Sequence, residues 1–202
     1  MIELKNITFE YNKKTRVLNN FNLRAENGEI VAIKGRSGQG KSTILRIISG
    51  LEKAQQGDVF VNDEVITHIP TNKRPIGYVF QNQALFPHLT VRKNIAYGLK
   101  DEINKHELIE EIASKVDIVE LLDRYPHEIS GGQKQRVAIA RSLITKPEVL
   151  LLDEPFTALD VELKQVIRKD VYNILRKFNI TTILVTHDIE DAKALHARMI
   201  EL

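Results

Sequence analysis

Cysteine is absent from the 202 residues, so no disulfide braces the chain, as fits a cytoplasmic protein. Charge of one sign is also lacking. Lys and Arg total 29 against 27 Asp and Glu, a formal charge of +2, and no basic field points to nucleic acid or anionic lipid. The six histidines are scattered without a ligand spacing, so no structural metal is expected. Long apolar runs are missing: Val149-Leu150-Leu151-Leu152 is far too short to span a bilayer. Met1-Ile2-Glu3-Leu4-Lys5 carries no basic-then-apolar signal. A chain with these properties works at a membrane only through a partner. What remains is ordinary globular material, 43% apolar and 28% charged, enough for one α/β domain with a small subdomain.

Gly35-Arg36-Ser37-Gly38-Gln39-Gly40-Lys41-Ser42-Thr43 fits the phosphate-binding loop pattern G-x-x-x-x-G-K-[ST]. Glycines let the backbone curl until several N–H groups converge on one anion. Lys41 adds a point charge for the outer phosphates, and Ser42 offers a hydroxyl to Mg²⁺. Glu29-Ile30-Val31-Ala32-Ile33 before the loop reads as a short strand, and Ile44 to Ser49 after it as a helix stopped by Gly50. Strand, Gly-rich turn and helix N-terminus predict a nucleoside triphosphate site, where a flexible Gly/Ser turn would need no such flanks.

Strands are expected at Ile2 to Tyr11, Val17 to Ala25, Gly57 to Val61 and Ile76 to Phe80, with a basic turn at Asn12-Lys13-Lys14 and a hairpin signal at Asn27-Gly28. Residues 88 to 128 change character: Leu108, Ile112 and Val116 recur at helical spacing, suggesting a helical subdomain inserted into the core. Thereafter a helix is predicted from Gln133 to Thr145, a buried strand from Val149 to Asp153 and a long helix from Val161 to Lys177. A strand from Thr181 to Thr186, a short helix from Ile189 and a stub at Met199-Ile200 complete the pattern. This alternation predicts a mainly parallel sheet covered on both faces.

Two further segments carry chemistry. The aliphatic run ending in Asp153-Glu154 places both acids at the carboxyl end of a buried strand, where open α/β sheets bind ligands. Asp153 is then placed to hold Mg²⁺ beside Ser42, and Glu154 to orient or deprotonate water. In Ser130-Gly131-Gly132-Gln133, Ser130 is a good N-cap, but two glycines cost helix stability unless something must approach the backbone closely. A second anion cradle distant from the first suggests a composite site between two subunits.

Ile129-Ser130-Gly131-Gly132-Gln133, followed by Leu-Leu-Leu-Asp153-Glu154-Pro155, resembles the signature and strand of the ATP-binding cassette (ABC) family, and the resemblance covers essentially the whole chain. It implies a P-loop NTPase core of mainly parallel sheet with an antiparallel β subdomain and an inserted helical subdomain. The implied layout is a single nucleotide-binding domain over 1–202, with a core of about 1–87 and 130–202 and helices over about 88–129. After His187 the chain departs from the family's pattern, in which another strand and a Gly-containing turn usually follow and many importer subunits carry a regulatory domain; no C-terminal regulatory domain is expected here.

The same resemblance assigns residues. Tyr11 matches the adenine-stacking aromatic, and Arg36, Ser37, Gly38, Gln39, Gly40, Lys41, Ser42 and Thr43 hold ATP. Ser130, Gly131, Gly132 and Gln133 close over a partner's nucleotide, and Asp160, in Ala158-Leu159-Asp160, lines the seam. Ser42, Gln81 and Asp153 serve Mg²⁺; Glu154 is the general base, with His187 and Gln81 completing the catalytic set. Taken singly, Tyr11 reads as a half-buried core aromatic, Gln81 as a polar loop residue, His187 as a surface histidine and Asp160 as a helix cap. Ile129 stands where leucine is commoner and should be neutral.

Gln81 to Lys100 resembles the coupling region of importer cassettes for molybdate, sulfate, polyamines, maltose or ferric iron. Leu85, Phe86, Pro87, Leu89 and Val91 form an apolar cluster suited to docking, or to the protein's own core. The implied role is an ATPase subunit on the cytoplasmic face of a membrane. It would be paired with a second ABC subunit, as a homodimer, with integral membrane permease subunits and with a substrate-binding protein. No nucleic acid partner is expected. The alternative is a soluble ABC ATPase acting in translation or DNA repair; one cassette without heptads or a basic patch disfavours it.

Overall fold

The computed structural model describes residues 1–12, 15–36, 38–99, 104–157 and 159–202. Lys13, Lys14, Ser37, Lys100 and Ala158, named above, lie outside the described residues.

Two sheets share the chain. β1 (Ile2–Asn12), β2 (Thr15–Ala25), β4 (Gln56–Val61) and β5 (Glu64–Val65) form an antiparallel sheet in the order β2-β1-β4-β5. Asn6 adopts φ 55 where the register shifts between Leu4 and Ile7. This bulge resets the alternation, so that Ile2, Leu4, Ile7 and Phe9 are all buried. Asn62 and Asp63, both at positive φ, make the tight turn between β4 and β5.

The second sheet contains β3 (Ile30–Lys34), β6 (Ile76–Val79), β7 (Val149–Asp153), β8 (Thr181–Thr186) and β9 (Arg198–Glu201). Its order is β6-β7-β8-β3-β9, and the pairings are parallel. Side chains alternate between two cores. Val31, Ile33, Leu151, Ile183 and Val185 face the antiparallel sheet and α1 (Lys41–Ser49), whereas Ala32, Leu150, Leu152 and Leu184 face the remaining helices. Those include α2 (Val91–Ala96), α3 (Lys105–Lys115), α4 (Gly131–Leu143), α5 (Val161–Phe178) and α6 (Ile189–Ala194). Residues 88–129 contribute α2, α3 and short 3-10 turns.

Three local expectations are corrected. Asn27-Gly28 does turn the chain, but it passes from β2 in one sheet to β3 in the other, so it closes no hairpin. Turn chemistry sets local dihedrals and does not choose a strand's partner. The helix predicted to start at Gln133 starts at Gly131, because Ser130 caps it from outside. The stub at Met199-Ile200 is a strand, held in register on β3 with Ile33 opposite Ile200.

Arg74 fastens α1 to the chain that follows it. Its guanidinium donates to the carbonyls of Ile47 and Ile48 at the end of α1, and to those of Thr67 and Ile69, each at 2.8 Å. The Ile48 carbonyl is among those a helix end leaves unpaired, and the Ile47 carbonyl also accepts from Gly50 N at 3.1 Å. Replacing Arg74 with Ala should lower stability by about 3 kcal/mol in urea unfolding, and Lys, lacking the planar fork, should recover less than half.

Candidate functional site

Parallel register brings the candidate residues to one edge. Lys34 pairs with Thr186, Val185 with Asp153 and Leu152 with Val79, so the carboxyl ends of β3, β8, β7 and β6 align. The residues that follow them are Gly35, His187, Glu154 and Phe80-Gln81.

The loop after β3 ends at Gly40, whose φ of 97 is left-handed and which stands as the N-cap of α1 without a side-chain cap bond. The first-turn N–H groups of α1 therefore face outward with no side-chain cap. Lys41 is 4% exposed and donates Nζ to the carbonyls of Gly35 and Arg36, both at 2.9 Å. Gln39 turns its side-chain carbonyl onto the Arg36 N–H. Thr43 meets the Tyr11 hydroxyl at 3.0 Å, and the Tyr11 ring stands edge-on to Phe9 at 4.8 Å. Tyr11 is 52% exposed: it is half-buried against Phe9, as its strand position alone suggested, and the rest of its surface is open.

Ser42 Oγ donates to Asp153 Oδ1 at 2.9 Å, across the gap between α1 and β7. Tyr78 Oη donates to the other oxygen, Oδ2, at 2.9 Å. Burial and the Asp153 charge push the Tyr78 phenol far above its ordinary value, so it remains a donor. Gln81 is exposed on the turn after β6 and is not joined to this pair by a hydrogen bond among the described residues.

Glu154 has φ 44, left-handed for a non-glycine residue, and its N–H bonds Val185 O at 2.9 Å. Such a conformation costs about 1–3 kcal/mol and turns the chain away sharply after Asp153. Glu154 Oε2 meets His187 Nδ1 at 3.2 Å and accepts from Thr157 Oγ1 at 3.1 Å. A cleft of about 420 Å³ opens beside these groups, lined by Gly35, Arg36, Gln39 and His187 with Lys34, Glu201 and Leu202. Another cavity, about 380 Å³ and lined by Ile112, Leu143, Glu148 and Ile180 among others, lies at the amino end of β7 and β8, away from this chemistry.

Ser130 to Gln133 stand apart from this edge. Ser130 Oγ accepts from Gln133 N at 3.3 Å, and Ser130 N donates to Gln133 Oε1 at 2.9 Å, a reciprocal capping box. A Cβ on Gly132 would sit 2.1 Å from Ile167 Cδ1, and one on Gly131 3.0 Å from Leu159 Cδ2. Close approach of α5 and its leading turn is thus a reason for both glycines. Ile129 is 7% exposed within the core, as expected of an apolar site. Asp160 is exposed and holds the N-cap position of α5, as the helix-cap reading expected, but its side chain makes no capping bond.

The apolar cluster after Gln81 divides. Val91 is fully buried and Leu85 packs on the core, while Phe86 and Leu89 are partly buried and Pro87 is exposed; Phe86 meets the exposed Tyr97 at a tilt, with ring centres 4.4 Å apart. Sequence reading missed the residues that hold this loop. Asn94, wholly buried, binds the carbonyls of Phe86, Leu89 and Thr90, and Arg141 binds those of Gln83 and Ala84. A polar residue at the buried positions of a helix is the one signal that marks Asn94.

The sequence profile described as "ABC transporter" is matched over residues 18–157. The chain belongs to the ABC transporter family. It is 43% identical over 206 residues to a spermidine/putrescine import ATP-binding protein of Mannheimia succiniciproducens, across 100% of this chain and 55% of that protein. It is 45% identical over 197 residues to a sulfate/thiosulfate import ATP-binding protein of Synechocystis sp., across 95% of this chain and 55% of that protein. The chain thus spans about half the length of the curated relatives it matches. Among solved structures, a dimeric bacterial ABC transporter cassette is similar at TM-score 0.82 and 33% identity, with 100% of this chain and 94% of that one covered. A dimeric ATP-binding cassette in a post-hydrolysis state bound to ADP and Pi is similar at TM-score 0.81 and 31% identity over the same shares.

In this cassette Gly40 and Gly38 are both left-handed, but only Gly40 is crowded: a Cβ there would lie 2.4 Å from Val17 Cγ1, and nothing lies within 4 Å of one on Gly38. Gly38→Ala should cost about 1 kcal/mol of unfolding free energy and Gly40→Ala at least about 2 kcal/mol. Equal losses in urea titration would contradict the crowding.

Proposed function

We propose that this chain is the ATP-binding and ATP-hydrolysing subunit of an ABC importer, acting peripherally on the cytoplasmic face of a membrane through separate permease subunits. A substrate-binding protein delivers the cargo, and no nucleic acid takes part. The observation that carries the reading is the gathering of the Ser42–Asp153 pair and the Glu154–His187 pair at one sheet edge, beside the uncapped N-terminus of α1. Both curated relatives quoted above are named import ATP-binding proteins. No helix among the described residues is long and apolar enough to cross a membrane. We read 88–129 as a helical subdomain within a core of 1–87 and 130–202.

The residues fit a triphosphate with Mg²⁺. The left-handed loop glycines and the free N–H groups of α1 suit phosphate oxygens, and the hydroxyl–carboxylate pair of Ser42 and Asp153 suits a hard cation. Arg36, Ser37, Gly38, Gln39, Gly40, Lys41, Ser42 and Thr43 would hold the phosphates, and the exposed ring of Tyr11 would stack on the base. Ser42, Asp153 and Gln81 would hold Mg²⁺, which when bound spreads the charge of the transferred phosphoryl group. Lys41 exchanges its two loop carbonyls for phosphate oxygens. Glu154 takes a proton from water as the water oxygen bonds to the γ-phosphorus; the bond to the bridging oxygen breaks, and ADP leaves with the electron pair. His187, with Nδ1 toward Glu154, keeps the opposite ring nitrogen for the γ-phosphate. Ser130, Gly131, Gly132 and Gln133 of a second copy would complete the site, with Asp160 at the seam, so ATP closes the dimer and hydrolysis reopens it.

Glu154→Gln should lower ATP turnover at least 100-fold, keep ATP affinity within about threefold and trap a dimer on size exclusion with ATP. Turnover at the parental rate would overturn the base assignment. Ser130→Arg should leave ATP binding by each monomer intact and abolish that dimer; a trapped dimer from the double variant would refute the shared site. Recovery of ribosomes and no membrane protein in a pull-down would overturn the importer reading.

A further inference from the structure

Arg168 is 8% exposed on α5, a helix whose other inward residues, Ile167, Val171, Ile174 and Leu175, already pack in the core. A guanidinium taken out of water adds nothing that an apolar side chain would not supply more cheaply, unless its direction matters. Its direction is specific. Nε donates to Asp191 Oδ1 at 2.8 Å, and Nη2 donates to Asp191 Oδ1 and to Asp188 Oδ2 at 2.7 Å. The second Asp191 oxygen accepts from Thr186 Oγ1, and the Asp188 N–H donates back to Thr186 Oγ1 at 3.0 Å. Asp188 Oδ1 accepts from Glu190 N at 2.9 Å and caps α6.

Thr186 and Asp188 are the two chain neighbours of His187. Both are therefore fixed by one buried guanidinium, directly or through Asp191, while His187 itself is half exposed and touches Glu154 by one bond of 3.2 Å. The guanidinium also stands 6.0 Å from the centre of the Phe156 ring, two residues past Glu154. The segments that carry both members of the Glu154–His187 pair converge on Arg168. Asp160 lies at the start of the same helix, so displacement of α5 at that end carries Arg168 with it.

We propose that Arg168 is a positioning residue for hydrolysis: through Asp188 and Asp191 it holds His187 against Glu154 and passes movement of α5 to that pair. The proposal rests on the reading of this site as an ATPase. It needs no contact between Arg168 and nucleotide, and so separates turnover from binding.

The test compares Arg168→Met, Arg168→Lys and Asp188→Asn in the full protein. Asp188→Asn keeps the α6 cap and removes one charged tie, so it covers the case in which Arg168→Met fails to fold. Expected is a fall in kcat of at least tenfold for Arg168→Met and about threefold for Asp188→Asn, with KM for ATP within twofold and partial recovery in Arg168→Lys. Combined with Glu154→Gln, Arg168→Met should still form the ATP-trapped dimer. Parental kcat in folded Arg168→Met or in Asp188→Asn, or a kcat loss matched by a rise in KM and failure to trap the dimer, would overturn the positioning role. Lack of any ATP turnover by the unsubstituted protein would instead remove the ATPase reading, and this role with it.

Discussion

The backbone ladder that sets Lys34 against Thr186 and Asp153 against Val185 decides where each candidate group stands. Side chains alternate across a strand, so a slip of one residue would turn Asp153 away from Ser42 and drive its aliphatic neighbours into the wrong core. Burial on both faces makes that slip costly: Val149 to Leu152 and Ile183 to Val185 are wholly enclosed. The hydrophobic interior thus enforces the register, and the register aligns the polar ends. Chemistry at the edge is a by-product of apolar packing beneath it.

Two helix beginnings show how the same backbone problem is solved in opposite ways. Both α1 and α4 start with N–H groups that have no partner within the helix. At α4, Ser130 and Gln133 satisfy one another's backbone, leaving the N–H groups of Gly131 and Gly132 as the donors outside the box. At α1 the capping position is a glycine with nothing to offer, and a buried lysine follows it. The first arrangement is satisfied by its own side chains, while the second leaves its donors open, as the proposed phosphate site requires.

The signals that sequence carried well were local. A buried run must be apolar and a phosphate loop must be glycine-rich, so β7 and the loop at 35–43 were legible, as was Ser130 as a cap. Pairing was not local, and Asn27-Gly28 suggested a hairpin because nothing in a turn records which strand lies beside it. Arg168 was lost among the charges of α5. Its place one turn before Val171 and two before Leu175, both buried, puts it on the apolar face, which is the only trace its role leaves in sequence. Tyr78 was hidden in the same way, since an aromatic in a strand gives no hint that its hydroxyl meets Asp153.

Gly132 lies against Ile167 with no side chain between backbone and methyl group. Helices separated by long side chains slide, because rotamers absorb small shifts. Only the Ile167 side chain lies between them at that point, so α4 and α5 mesh like a tooth in a notch and little room is left for either to shift alone. The helix that starts after Ser130 and the one that starts after Asp160 are thereby held close.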